Sequence, residues 1–316
     1  MNILVTGGAG FIASHIVDAY IVDGHTVSVV DNLSTGVRSN LNPKAQFFQC
    51  DIRDRDALDE VFQAGRFAAV SHHAAQIDVR RSVADPVFDA SVNILGFLNL
   101  MECCVKYGVL KVIFASTGGA IYGEQDSFPA DESHATRPLS PYGITKLASE
   151  KYLFYYWTLH GIECVLLRYA NVYGPRQNPH GEAGVVAIFA TKMLRGDRAV
   201  INGDGKQTRD YVYVGDVVRA NLAALQCRGF EVLNVGTGVE TDVNEIFRLI
   251  KLYTGSDIKT EHGEAKKGEQ LRSVLDSSKI SRLLGWRPTV TIEEGLARTV
   301  AAFRDEELKH GAIVHS

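Results

Sequence analysis

Short apolar runs rich in Val and Ile alternate with longer stretches of helical periodicity along the first half of the chain. The runs at residues 3–6, 26–30, 46–49, 68–71, 111–115 and 163–168 are predicted strands. They are apolar throughout instead of alternating with polar positions. Strands read this way when helices cover both faces of a parallel sheet, so the pattern predicts an α/β fold with a doubly wound parallel sheet.

Beyond Gly174 the character changes. Gly, Pro, Asn and His cluster in Gly174-Pro175-Arg176-Gln177-Asn178-Pro179-His180-Gly181, ahead of a helical stretch at about 184–195. Residues 217–226 then read as a helix and 231–235 as another apolar strand, so the chain is expected to return to the sheet. The division that follows is a nucleotide-binding domain of residues 1–175 with a return segment at about 211–239. The remaining segments of 176–316 form a smaller C-terminal substrate lobe, with helices near 243–252, 277–284 and 292–308.

The 33 basic and 37 acidic side chains leave a net charge of -4 without a basic block, which argues against nucleic acid or an anionic membrane surface as partner. No window approaches the roughly 18 unbroken apolar residues of a membrane span. The opening Met1-Asn2-Ile3-Leu4-Val5-Thr6 has no basic leader and runs into glycines, so a cytoplasmic location is expected. Cys50, Cys103, Cys104, Cys164 and Cys227 are odd in number and form no Cys-x-x-Cys pair, and read as reduced fillers. No metal site is expected; His72 and His73, at a strand end, read as core groups.

Thr6-Gly7-Gly8-Ala9-Gly10-Phe11-Ile12-Ala13 sits where the first strand passes into the first helix. Gly7 suits the tight turn and Gly10 the close approach of a pyrophosphate to a helix N-terminus, while Ala13 keeps the third position small. Asp31 ends the second strand, where a carboxylate accepts both hydroxyls of an adenosine ribose and repels a 2'-phosphate. The cofactor expected is therefore NAD in a Rossmann domain. Arg38, nearby in sequence, keeps NADP as the alternative.

Ser140-Pro141-Tyr142-Gly143-Ile144-Thr145-Lys146 opens a helix, and the four-residue spacing puts Tyr142 and Lys146 on one face. A tyrosine serving as base near neutrality must lose roughly three units of pKa, about 4 kcal/mol. A neighbouring ammonium is a natural source.

These motifs, with Asp51-Ile52, His72-His73-Ala74-Ala75-Gln76, Ser116-Thr117, Arg168-Tyr169-Ala170-Asn171-Val172-Tyr173-Gly174-Pro175-Arg176, Arg209-Asp210-Tyr211-Val212 and Asn234-Val235-Gly236-Thr237-Gly238, resemble the extended short-chain dehydrogenase/reductases. Within them the chain most resembles the UDP-glucose 4-epimerase family. The resemblance implies that Phe11 and Ile12 lie along the pyrophosphate. It places Asn32, Ser34, Thr35 and Gly36 with Asp31 at the ribose, Asp51 and Ile52 at the adenine, and Ala74, Ala75 and Gln76 at the nicotinamide side with Asn93 behind. Tyr142 and Lys146 then serve both cofactor and catalysis. Thr117 is the catalytic hydroxyl by the family interval, with Ser116 in reserve; Asn171 and Arg209 meet the substrate's phosphates, and Ser273 borders the sugar's 2-substituent, leaving room for an N-acetyl group. The family's Arg-x-Gly-Asp segment appears as Lys266-Lys267-Gly268-Glu269.

The activity implied is NAD-dependent 4-epimerisation of UDP-glucose and UDP-galactose through a 4-keto sugar, by an enzyme acting as a homodimer packed through residues 85–107 and 141–160. Related dehydratases carry Asp-Glu after the catalytic Thr and related decarboxylases a Glu; here Gly118-Gly119-Ala120 follows, which favours epimerisation. Three alternatives stay open: UDP-glucuronate 4-epimerisation, another nucleotide-sugar oxidoreductase, and a silent NAD-binding regulatory protein.

Overall fold

The computed structural model describes residues 1–179, 184–265 and 270–313, with the side chains of 309–313 left aside. Its main sheet has seven parallel strands, β1 (Asn2–Thr6), β2 (Thr26–Asp31), β3 (Gln46–Gln49), β4 (Ala69–His72), β5 (Lys111–Thr117), β6 (Glu163–Tyr169) and, after three strands of the smaller lobe, the returning Phe230–Val235. With β7 (Asn171–Tyr173), β8 (Val200–Asn202) and β9 (Thr208–Tyr213) in between, that last strand is β10, and the sheet order is β10-β6-β5-β4-β1-β2-β3. The order reverses between β1 and β4, which opens a crevice at their C-terminal ends where such folds bind nucleotides.

The continuous apolar strands are buried on both sides. Ile3 and Val5 of β1 pack with the Phe11–Val22 and Val214–Ala224 helices, while Leu4 packs with Arg55–Gly65, Phe97–Lys106 and Pro141–His160 on the opposite face. A separate core of Val186, Phe189, Ile246, Phe247, Leu296 and Val300 joins the helices Val185–Arg195, Val243–Thr254 and Ile292–Ile313. Beside it, β9 lies between β11 (Glu240–Asp242) and β13 (Arg272–Ser273), with β7 also paired to β9; β12 (Glu261–Gly263) pairs with β8.

One expectation needs correction. The helix Ser278–Leu284, assigned above to the smaller lobe, docks on β10, with Ile280 and Trp286 inside the main-sheet core and Trp286 Nε1 donating to the Asp216 carbonyl at 2.9 Å. Its apolar face matches the β10 side of the sheet, not the lobe. In addition, Pro86–Lys106 is long and apolar enough by length and composition to cross a membrane. It packs here against Arg55–Gly65 and Pro141–His160, with Asp89 and Asn93 buried in hydrogen bonds. All five cysteines are free and buried, and burial pushes the Cys103 thiol up to about 11 and Cys164 to about 12.

Candidate active site

At the crevice, Thr6 ties the ends of β1 and β4 together. Its Oγ1 accepts from the amides of His73 and Ala74, both at 3.2 Å, and lies 2.7 Å from His72 Nδ1. Gly7, at φ +72°, crosses directly beneath this link, where a Cβ would come within 2.8 Å of the Ala74 nitrogen. Only glycine fits such a turn. Gly10 precedes the Phe11–Val22 helix with extended backbone and no side chain, leaving the helix amides open to an anion.

Asp31 is nearly buried at the end of β2. Its Oδ2 accepts from Ala9 N at 3.0 Å and its Oδ1 from Leu33 N at 2.8 Å, so the carboxylate is aimed before any ligand arrives. Gly36 closes over it; a Cβ there would lie 2.9 Å from Asp31 Oδ1. Asn32 Nδ2 donates to Asp51 Oδ2 at 2.9 Å, and the bidentate Arg53 guanidinium holds the Asp51 carboxyl well below the usual carboxylate range. Ile52 is packed in the core under Gly96. Arg38, the feature that kept NADP open, lies over the Phe47 ring and donates to Gln49 Oε1 at 3.1 Å.

Tyr142 is placed by its helix start. Ser140 Oγ accepts from Gly143 N at 3.2 Å and Pro141 takes the first turn, an N-cap arrangement that fixes where the helix begins. One turn on, Lys146 is buried, and its Nζ donates to the Ala115 carbonyl of β5 at 2.9 Å and sits 4.7 Å from the Phe114 ring. Burial lowers Lys146 to about 8 against the opposing pull of Asp89 and Glu150. The lysine is thus still an ammonium at neutral pH. Burial, reinforced by that ammonium, holds His72 well below the ordinary imidazole value and His73 at about 3. No His, Cys, Asp or Glu cluster suited to a metal occurs among the described residues.

The two candidate hydroxyls at the end of β5 differ sharply. Thr117 Oγ1 accepts from Ala120 N at 3.2 Å, as cap of the short Gly118–Ile121 helix, which leaves its O–H to donate. Ser116 points the other way, donating to Glu150 Oε1 at 2.6 Å. Glu150 is held bidentately by Arg168, whose Nη1 donates to Tyr122 Oη at 2.9 Å.

On the lobe side, Asn171 Oδ1 would lie 3.6 Å from a Cβ at Gly119, beside Thr117. Arg209 is aligned with Ser273 in the β9–β13 pairing. The Asp210 carboxylate beside it is taken up by Thr237, Gly238 and Leu275. The Lys266-Lys267-Gly268-Glu269 segment lies outside the described residues.

The family model described as NAD dependent epimerase/dehydratase matches residues 3–236. The chain belongs to this family. A UDP-glucose 4-epimerase of Mycolicibacterium smegmatis is 44% identical over 97% of this chain and 99% of its own. The UDP-glucose 4-epimerase of Thermotoga maritima, solved with UDP-glucose, superposes with a TM-score of 0.95 at 52% identity, over 97% of this chain and 100% of its own. That of Thermus thermophilus, solved with NAD, gives 0.92 at 47% identity over 96% and 99%.

NAD is accordingly the cofactor of this family member, and the glycine turn with the pre-aimed Asp31 fits it. Asn93 and Gln76, both in the expected cofactor set, are also hydrogen-bonded to each other. Asn93 Oδ1 accepts from Gln76 N, its Nδ2 donates to the Gln76 carbonyl, and Gln76 Nε2 in turn donates to Asp78 O and Asp89. Asn93 therefore braces the loop at Gln76 from the helical run behind it. Sequence reading missed Thr6, Asp89, Thr145 and Glu150. Of these only Glu150 carried a signal, standing one helical turn beyond Lys146 on the face shared with Tyr142.

Proposed function

We propose that the protein is an NAD-dependent 4-epimerase of UDP-hexoses, interconverting UDP-glucose and UDP-galactose through a 4-keto sugar. The observation that carries this reading is the segment after Thr117. Elimination at a sugar's carbon 5 needs a further acid or base, yet Gly118-Gly119-Ala120 brings no carboxylate, and a Cβ at Gly118 would lie 2.5 Å from Leu275. What the site retains is a Tyr, Lys and Thr set suited to chemistry at one carbon.

When bound, NAD supplies the acceptor and then the donor of the carbon-4 hydride. Gly7, Gly10, Phe11 and Ile12 would carry its pyrophosphate, Asp31, Asn32, Ser34, Thr35 and Gly36 its adenosine ribose, Asp51 and Ile52 its adenine, and Ala74, Ala75 and Gln76 its nicotinamide side. Tyr142, as phenolate, takes the proton of the 4-hydroxyl and returns it. The Lys146 ammonium keeps that phenolate accessible, and Thr117 donates to the reacting oxygen. Asn171 and Arg209 hold the diphosphate, where a guanidinium binds with good geometry. The small Ser273 leaves space at the 2-substituent, which supports use of the N-acetyl sugars as well. UDP-glucose in the Thermotoga relative and NAD in the Thermus relative support both ligands.

The enzyme is read as a homodimer: Ile144, Tyr152, Tyr155 and Leu159 form an exposed apolar stripe on the Pro141–His160 helix, near the exposed Val87 and Leu95. Five free, buried cysteines suit a reducing, cytoplasmic location. Residues 1–175 with 211–239 form the NAD-binding domain in this reading, joined by the docked Ser278–Leu284 helix; the rest of 176–316 binds the nucleotide sugar.

UDP-galactose deuterated at carbon 4 tests the reaction. The expected product is UDP-glucose with the label still at carbon 4, since the same hydride is returned. Label loss, elimination or net oxidation would defeat the reading.

A further inference from the structure

The helical run from Pro86 to Lys106 changes pitch in the middle. After Pro86–Ala90, Ser91–Gly96 forms a π-helical turn before Phe97–Lys106 resumes the α-helix. Such turns recur at functional sites, where the extra residue re-aims a side chain. This one carries Asn93, and the residue four before it, Asp89, reaches the same partners.

Asp89 has no exposed surface. Its Oδ1 accepts from Gln76 Nε2 at 2.9 Å and Asn93 Nδ2 at 3.2 Å, and its Oδ2 from Thr145 Oγ1 at 2.8 Å. All three donors are neutral, and a buried carboxylate served only by neutral donors is costly unless a cation lies close. The cation is Lys146, the neighbour of Thr145 in the chain, which Asp89 stabilises in its charged form. Glu150 acts on Lys146 in the same sense, but its two oxygens are bound by Arg168. The remaining groups facing Lys146 are His72 and His73 on β4, both held neutral, and Tyr142 one turn earlier on its own helix.

We propose that Asp89 is a positioning residue for the Tyr142–Lys146 couple: its buried carboxylate, fixed by Thr145 next to Lys146 in the chain, acts on the lysine, and its hydrogen bonds lock the catalytic helix at Thr145 to the nicotinamide-side loop at Gln76. This inference rests on the epimerase reading above. Asp89, sealed from solvent, takes no proton from the substrate. Its effect is exerted through Lys146 and through geometry.

The test is the pH dependence of turnover, with NAD content measured alongside. Asp89→Asn keeps the shape and removes the charge. The expected variant retains NAD and its KM for UDP-galactose, while the alkaline limb of kcat moves down by about one pH unit, a tenfold loss at the alkaline end. Thr145→Val keeps the charge and cuts the tie to the helix; about tenfold lower kcat with an unmoved limb is expected. A merely structural role would lower NAD content or stability without displacing the limb. A folded Asp89→Asn enzyme with the wild-type limb overturns the proposal. Should that variant not fold, wild-type kcat in Thr145→Val overturns it. Wild-type protein that fails to turn over UDP-galactose would instead defeat the functional reading, before either variant is compared.

Discussion

Ser116 Oγ donates to Glu150 Oε1 at 2.6 Å inside the core, while the hydroxyl of the adjacent Thr117 caps the Gly118–Ile121 turn. Alternation along β5 produces the difference, because successive side chains leave a strand on opposite faces. One hydroxyl is thereby given to an ion pair and the other is kept out of it. Thr117→Val is expected to lower kcat by roughly 10²-fold with NAD retained, the scale for loss of a donor to a reacting oxygen. Ser116→Ala is expected to keep kcat near wild type and to lose about 1–3 kcal/mol of stability, because a buried carboxylate loses a donor. Steady-state kinetics and urea unfolding of the two variants check this.

Tyr142→Phe removes the phenol proposed as the proton acceptor and leaves the helix start intact, since Ser140 and Pro141 supply the cap. A variant with full NAD content and turnover down by about 10²–10⁴-fold is expected. Substantial remaining activity in the purified variant would remove Tyr142 from its role.

Acid should destabilise the protein through His72 and His73. In the unfolded chain both imidazoles take up protons near pH 6.5, whereas in the folded protein burial keeps His72 neutral well below that value and His73 neutral to about 3. Below pH 6.5 the unfolded state therefore binds more protons, and stability falls as pH falls, by about 1.4 kcal/mol per pH unit for each histidine once protonation of the unfolded chain is complete. The contribution of His73 stops changing near its folded value of about 3. Urea midpoints measured from pH 7.5 to 5 should decline; a flat series would contradict the burial argument.

Asp31→Ala removes a carboxylate already aimed by Ala9 and Leu33. NAD affinity is expected to fall at least tenfold, about 1.4 kcal/mol, and preference over NADP to shrink, since the repulsion of a 2'-phosphate is gone. Titration of apoprotein with each dinucleotide measures both effects. Tighter NADP binding by the unaltered protein would contradict the role of Asp31.

What the sequence made legible was local. The strands are continuous apolar runs, and Gly7, Asp31, Tyr142 and Lys146 announce themselves by spacing or by position at an element's end. What it concealed depends on partners far apart in the chain. Asp89 meets Thr145 across 56 residues, Ser116 meets Glu150 across 34, and Thr6 meets Ala74 across 68. A single buried Asp in an apolar helix carries no sign of such company. The docking of Ser278–Leu284 on β10 was hidden for a related reason: its periodicity shows an apolar face but not which core receives it.

Epimerisation with a retained cofactor is checked by incubating the purified protein with UDP-galactose, adding no NAD, and following products by NMR alongside the absorbance of reduced cofactor. Conversion to UDP-glucose up to equilibrium is expected, with no net accumulation of reduced cofactor. No conversion even after NAD is supplied, or oxidised sugar formed in step with NAD consumed, would contradict it.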